Sequence, residues 1–260
     1  NNNFLLKMFR LVFLIIFIFF GYNKTHPQLN QQSKKITKAF FEDFSDLENN
    51  TPALKKKKGF TNQKELNLFI EELEKNFPNL VELDYIGQTQ KGKKIPIVYL
   101  SNQNFKDSKK IRIWMQGGSH GNEPASTETL LFLIHELLHN LDSRYLLEKI
   151  HFAFVPMLNI DGYLKNDRYS NNGLDLNRDH TKLMSPEIIA SVQAFSKFDP
   201  HIALDFHEYR PFRKDFAQLS TFGISSIYDF MFLHSGNLNV SENIRLVNDT
   251  LFVANAKKSL

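Results

Sequence analysis

His120 and Glu123 stand three apart in "GGSHGNEPAS", and His207 stands far downstream in "LDFHEYR". Two imidazoles and one carboxylate are the ligand count of a catalytic zinc that keeps a further position open for water. The chain has no cysteine, which excludes thiolate zinc sites, a disulfide framework and a cysteine nucleophile. Any metal must therefore be held by His, Asp or Glu. Neither packing nor turn-making calls for His120 and Glu123 in a loop that leaves a strand through Gly117 and Gly118. The glycines let the backbone turn tightly, so that both side chains can face one ion. By itself a His and Glu pair at this spacing is a weak signal, because it recurs in ordinary polar loops.

The elements that must position these groups are legible in the pattern of apolar residues. Residues 62–77, "NQKELNLFIEELEKNF", have helical spacing and end at Phe77-Pro78. "VELDYIG" and "KIPIVYLS" alternate like two strands joined by "QTQKGK", a hairpin. "IRIWMQ" is a strand, and Pro124 to Leu141 a helix whose stripe is Leu130, Ile134, Leu137, Leu138 and Leu141. "HFAFVPM" is a strand, "SPEIIASVQAFSKF" a helix with Ser185 as N-cap, and "HIALDF" a further strand. From Glu242 onward "ENIRLVNDTLFVANAKKSL" is helical. The strand, helix, strand order implies a crossover and parallel strands. The expected fold class is α/β, with a mixed, largely parallel sheet flanked by helices. Open sheets of this kind bind ligands beyond the carboxyl ends of their strands. His120, Asn159, Asp161 and His207 all follow such ends, so they can converge on one edge.

In the order "GGSHGNEPAS", "NIDGY", "DRYSNNGLDLNRD", "LDFHEYR", the sequence from about Phe60 to Leu260 resembles the zinc metallocarboxypeptidase family in its compact bacterial form. Four ordered motifs make that resemblance far more specific than any one of them. It implies an α/β/α carboxypeptidase-like fold, one Zn2+, and hydrolysis of the C-terminal amide bond of peptides by metal-activated water. It implies His120, Glu123 and His207 as zinc ligands, and Arg168 as the arginine that polarises the scissile carbonyl. Asn177 and Arg178 match the pair that grips the substrate's terminal carboxylate. Asp175 matches the acid that orients the first ligand histidine. The chemistry of each side chain suits its role: guanidinium forks onto carboxylate, and a zinc-bound histidine usually gives its other N–H to a carboxylate. Two other readings use the same residues. One is a zinc amidohydrolase of N-acyl amino acids, and the other a non-catalytic zinc-binding module that recognises peptide C-termini.

A competing zinc motif is "HELLH", His135 to His139, with two histidines one helical turn apart. On the helix that contains it, His135, Glu136 and His139 fall with Glu128 on the polar side, so they are expected to be solvated surface residues. His26, His151, His180, His201 and His234 are read as surface or cap residues, with His180 the nearest to the site motifs. Glu208 follows a ligand directly and should point the other way along a strand, which argues against a fourth ligand. Tyr209 and Arg210 are candidates for the pocket rim. The family's chemistry also needs a glutamate as general base. After Glu208 the sequence offers only Glu242, at the start of a predicted helix, which is not assigned that role. The base is expected beyond Leu260, the 60–260 region being a partial catalytic domain.

Ahead of that domain, Lys7 and Arg10 precede ten apolar residues, Leu11 to Phe20. A membrane span needs about 20, so residues 1–21 are read as a signal peptide or a short anchor. Residues 22–59 are polar and read as a linker or arm. The expected product is exported, periplasmic or secreted. The run Lys55 to Lys58 has no interleaved aromatic residues and reads as a solvated linker rather than a nucleic-acid platform. The net charge of +4 is not gathered on one face, and the partner that the resemblance implies is a peptide or peptide-like substrate with a free carboxylate.

Overall fold

The structure, a computed structural model, describes residues 50–102, 109–208, 231, 233 and 237–259. The segment read as a signal peptide or short anchor, most of the arm, and Tyr209, Arg210, His26 and His234 lie outside the described residues.

The first helix, α1 (Gln63–Asn76), is set by a capping box: the Asn62 side chain accepts from the Glu65 amide at 3.0 Å and the Glu65 carboxylate from the Asn62 amide at 2.8 Å. It buries Leu66, Phe69, Ile70 and Leu73 on one face. Strands β1 (Val81–Gln88) and β2 (Lys94–Leu100) form the expected antiparallel hairpin. Strand β3 (Ile111–Gln116) follows, then helix α2 (Pro124–His139) and two single turns, α3 (Leu141–Arg144) and α4 (Leu146–Lys149). Strand β4 (Ile150–Val155), a turn α5 (Ile160–Tyr163), helix α6 (Pro186–Phe198) and strand β5 (Ile202–Asp205) complete the sheet. A final helical run comprises α7 (Glu242–Val247), a π-helical stretch at Asn248–Val253, and α8 (Ala254–Ser259).

The sheet order is β1-β2-β4-β3-β5. β2 pairs antiparallel with β4, while β3 pairs parallel with both β4 and β5. It is thus the mixed α/β sheet expected from the sequence, flanked by helices. Strand alternation sorts the two faces. Trp114 meets Phe195 and Phe198 of α6, and Tyr99 and His151 also reach Phe198. Phe152 and Phe154, fully or nearly buried on the alternate positions of β4, belong to the core with the inward residues of α1 and α2.

Four local expectations need correction. Helix α2 stops at His139, because Asn140 caps it and its side chain accepts from the Asp142 amide to start the next turn; Leu141, predicted on the buried stripe, is 73% exposed. His135 is buried rather than solvated: its ring stacks on His139 at 3.9 Å, with Phe77 against His139 at 5.1 Å. Glu128 is not free in solvent either, since its carboxylate accepts from the Thr61 amide and hydroxyl at 2.6 and 2.8 Å. The polar arc of α2 is therefore covered in part by the chain leading into α1. His151, expected at the surface, is also buried.

Candidate metal centre

The three parallel strands end level with one another: Gln116 of β3 is in register with Val155 of β4 and with Asp205 of β5. Each chain continues past that line into a site segment. The loop after β3 stays tied to its neighbours, with the Leu158 amide on the Gly117 carbonyl (3.1 Å) and the Asn159 amide on the Gly118 carbonyl (2.9 Å). Gly118 takes φ +67, a left-handed conformation that a side chain would strain. At Gly121 the demand is spatial: a Cβ there would stand 2.2 Å from the Gly162 carbonyl carbon. Across the third strand the Phe206 amide donates to the Gln116 carbonyl at 2.7 Å, which carries the pairing onward and sets the direction of His207.

Glu123 is the N-cap of α2, but its side chain makes no capping bond; Pro124 at N1 has no N–H to satisfy. The Glu123 carboxylate is thereby released toward the loop. The helix terminus takes a different acid: the Ala125 amide donates to Glu208 at 3.2 Å. Glu208 accordingly faces the start of α2 and not the centre, as the strand alternation predicts.

His120 Nδ1 lies 2.9 Å from one Glu123 oxygen and His207 Nδ1 lies 2.8 Å from the other. The two rings are 4.7 Å apart between centroids. One donor atom from each of His120, Glu123 and His207 falls within 4.8 Å of the others, so the three can hold a metal ion. His120 and Glu123 are buried, whereas the His207 side chain is 31% exposed and forms the open side. Burial alone would oppose ionisation of Glu123, but hydrogen bonds from His120 and His207 and from the Glu208 amide outweigh it, holding the carboxyl well below its usual range. His207 is pushed up to about 9 by its bonds to Asp205 and Glu123. The nitrogen and oxygen donors of the three side chains suit zinc.

Around this set lie the other predicted residues. Asp175 accepts from His120 Nε2 at 3.1 Å with one oxygen, and the other takes Nε and Nη2 of Arg168 at 3.2 and 3.0 Å. Burial works against its ionisation, and the bonds from His120 and Arg168 prevail, so its carboxyl is lowered. Asp175 is also the N-cap of a 3-10 turn, Leu176–Arg178, accepting from the Asn177 amide at 3.0 Å. That turn carries Asn177, whose side-chain amide is 3.3 Å from His207 Nε2, and Arg178, which is exposed and donates to the Asn177 carbonyl at 3.2 Å. Arg168 also reaches Glu123 at 3.5 Å. All seven predicted site residues therefore occur on this edge of the sheet.

Asn159 and Asp161 do not join the metal group. Asn159 caps α5, with its side chain accepting from the Gly162 amide at 3.0 Å, and Asp161 accepts from the Lys91 amide at 3.1 Å. They fix loops rather than face the centre. Sequence reasoning missed Asp205, which lies 3.1 Å from His207 Nε2. A partial signal was available: Asp205 closes the strand two residues before His207, and residues two apart in extended chain share a face.

Comparison with known proteins gives the family and the fold. The family model described as zinc carboxypeptidase matches residues 66–219. Probable carboxypeptidase 2 of Trichophyton verrucosum (strain HKI 0517) is 36% identical over 182 residues, 66% of this chain and 34% of the relative. Carboxypeptidase 2 of Trichophyton rubrum is 36% identical over 183 residues, covering 66% and 32%. The chain thus spans about a third of the length of these curated relatives. Among solved structures, carboxypeptidase A from Helicoverpa armigera superposes with a TM-score of 0.55 at 22% identity, over 59% of this chain and 47% of that one, which shows a shared fold.

Proposed function

This chain belongs to the zinc carboxypeptidase family, and we propose that it is a zinc-dependent metallocarboxypeptidase that releases the C-terminal residue of peptides. The observation that carries the reading is the His120, Glu123, His207 cluster at the carboxyl edge of the sheet, with Arg168 and Asp175 built into it. We assign His120, Glu123 and His207 as ligands of one Zn2+. When bound, the ion supplies Lewis acidity toward the scissile carbonyl and activates a water for attack.

The chain's own residues do the rest. Asp175 accepts a hydrogen bond from His120 Nε2–H, which leaves the Nδ1 lone pair for the metal. The same carboxylate forks the Arg168 guanidinium, which fixes a cation beside the ligand carboxylate where charge develops on the carbonyl oxygen. Arg178 makes no ion pair among the described residues, and a guanidinium available to solvent suits a substrate carboxylate. Asn177 stands between Arg178 and His207 and binds the same carboxylate. We assign no general base; Glu242, in the first turn of α7, is not given that role. Residues 60–260 are assigned as a partial catalytic domain, after an arm at 22–59, with residues 1–21 a signal peptide or short anchor.

The same Asn177 and Arg178 pair serves an amidohydrolase of N-acyl amino acids, so the substrate decides between them. The test is release of the last residue from short peptides, against release of acid from N-acyl amino acids, before and after chelation and with zinc restored. Peptide hydrolysis that is lost on chelation and returns with zinc supports the proposal. Chelator-insensitive hydrolysis, or zinc binding that survives undiminished in His120→Ala or His207→Ala, overturns the ligand assignment.

A further inference from the structure

Each ligand histidine presents Nδ1 to Glu123 and Nε2 to an aspartate: His120 to Asp175 at 3.1 Å, and His207 to Asp205 at 3.1 Å. We infer that Asp205 is a second positioning carboxylate of the metal centre, held in place by a buried polar relay that starts on helix α6. This rests on the ligand assignment above and extends it to a residue outside the predicted set.

The relay can be followed proton by proton. The Ser191 hydroxyl donates to the Gln116 side-chain oxygen at 2.6 Å, which fixes the orientation of that amide. The amide nitrogen of Gln116 donates to the Ser119 hydroxyl oxygen at 3.2 Å. The Ser119 hydroxyl then has its single proton to give, and its neighbour is the Asp205 Oδ1 at 3.4 Å. Asp205 Oδ2 is left to accept from His207 Nε2. Ser191, Gln116 and Ser119 are 2%, 4% and 0% exposed, so these three depend on protein partners rather than on water, while the Asp205 side chain at the end of the run is 37% exposed.

Two features set this apart from a casual contact at a strand end. Gln116 and Asp205 are register partners across β3 and β5, so the relay crosses the sheet at the line from which both ligand loops depart. Ser119 also precedes His120 directly, so one hydroxyl links the arm bearing the first ligand to the carboxylate that steadies the third. With an accepting carboxylate at Nε2, His207 keeps its proton there and offers the Nδ1 lone pair to the centre. The side-chain nitrogen of Asn177 also lies near Nε2, at 3.3 Å.

The experiment is a zinc titration of the metal-free protein, in competition with a chelating indicator, for wild type, Asp205→Ala, Asp205→Asn and Ser119→Ala. Thermal unfolding of each metal-free variant is measured alongside. Losing an outer carboxylate typically weakens metal affinity by about 10–100-fold, which is the loss expected for Asp205→Ala. Asp205→Asn keeps volume and an acceptor oxygen without the charge, so its loss is smaller, and Ser119→Ala, which removes only the steadying bond, loses least. Metal-free melting temperatures should stay near that of wild type. Wild-type zinc affinity in both Asp205 variants overturns the inference, as does a lowered metal-free melting temperature with unchanged affinity, the signature of a merely structural acid. Wild-type affinity in Ser119→Ala overturns the relay. A wild-type protein that takes no zinc fails at the ligand assignment itself, an outcome recognisable before any variant is compared.

Discussion

Gly121→Ala is the sharpest test of how the two halves of the site are joined. A Cβ at this position would lie 2.2 Å from the Gly162 carbonyl carbon, 2.2 Å from the Tyr163 nitrogen and 2.5 Å from the Asp167 carbonyl oxygen. Carbon atoms in contact sit about 3.5–4.0 Å apart, so the loops must separate by more than about 1 Å. All three neighbours are backbone, which cannot swing aside as a flexible side chain would. Overpacking a tight core costs about 1–3 kcal/mol, and this geometry belongs at the upper end or beyond. At about 2–4 °C per kcal/mol for a domain of this size, the melting temperature should fall by roughly 6–12 °C. Zinc affinity should fall too, by about tenfold or more, because the displaced loop leads into Arg168 and Asp175 while Gly121 adjoins His120. The assay is thermal unfolding of the metal-free protein together with a zinc competition titration. Gly173→Ala is the control: its φ of +79 is strained for alanine, but nothing lies within 4 Å of its Cβ. It should cost about 1–2 kcal/mol and leave zinc affinity alone. A Gly121→Ala protein as stable as Gly173→Ala, with undiminished zinc binding, would refute the close approach and the coupling argued from it.

The two site arginines should separate kinetically in peptide hydrolysis. Arg168→Ala should lower kcat by about 100-fold or more, because its charge acts where the carbonyl oxygen becomes negative. Arg178→Lys should act mainly on KM by weakening bidentate capture of the carboxylate; the opposite pattern in steady-state assays would reverse their assignment. His151 gives a pH-dependent stability. Burial, then Lys110 and Arg112, lower it to about 4, so the folded chain favours the neutral ring while the unfolded chain protonates near 6.5. Its contribution is intact above about pH 6.5 and is lost as pH falls toward 4, amounting to up to about 3 kcal/mol. His151→Phe, whose ring can still meet Tyr99 and Phe198, should flatten that part of the stability curve in denaturant titrations at pH 4 and 7. An unchanged slope would show that His151 is not the group that titrates.

Most of the sheet and the metal cluster were legible because both depend on local rules. Apolar alternation marks strands, and the order of His120, the "DLNRD" turn and His207 marks where three parallel strands deliver polar groups to one edge. What the sequence hid was what lies over a surface. Periodicity says which face of a helix is apolar, but a polar face is solvated only when no other segment covers it. On α2 that condition fails: Thr61, from a stretch that begins in a lysine-rich run, sits on Glu128, and Phe77 at the end of α1 closes over His139. His135 is therefore buried in a stacked pair although its position on the helical wheel is polar.

Asp205 was hidden for a different reason. A motif directs attention to the groups that touch the ion, while the group behind a ligand is chosen by geometry. For His120 that group arrives from Asp175, 55 residues away, and could be placed only through a resemblance. For His207 it arrives from two residues back along one strand, where side-chain alternation alone puts it on the ligand's face. The symmetry of the centre follows from this: Glu123 bridges two Nδ1 atoms, each Nε2 is answered by an aspartate, and only one of those aspartates also carries an arginine. Charge is consequently uneven across the centre. The Asp175 carboxylate is offset by Arg168, whereas among the described residues Asp205 has a serine hydroxyl opposite its other oxygen.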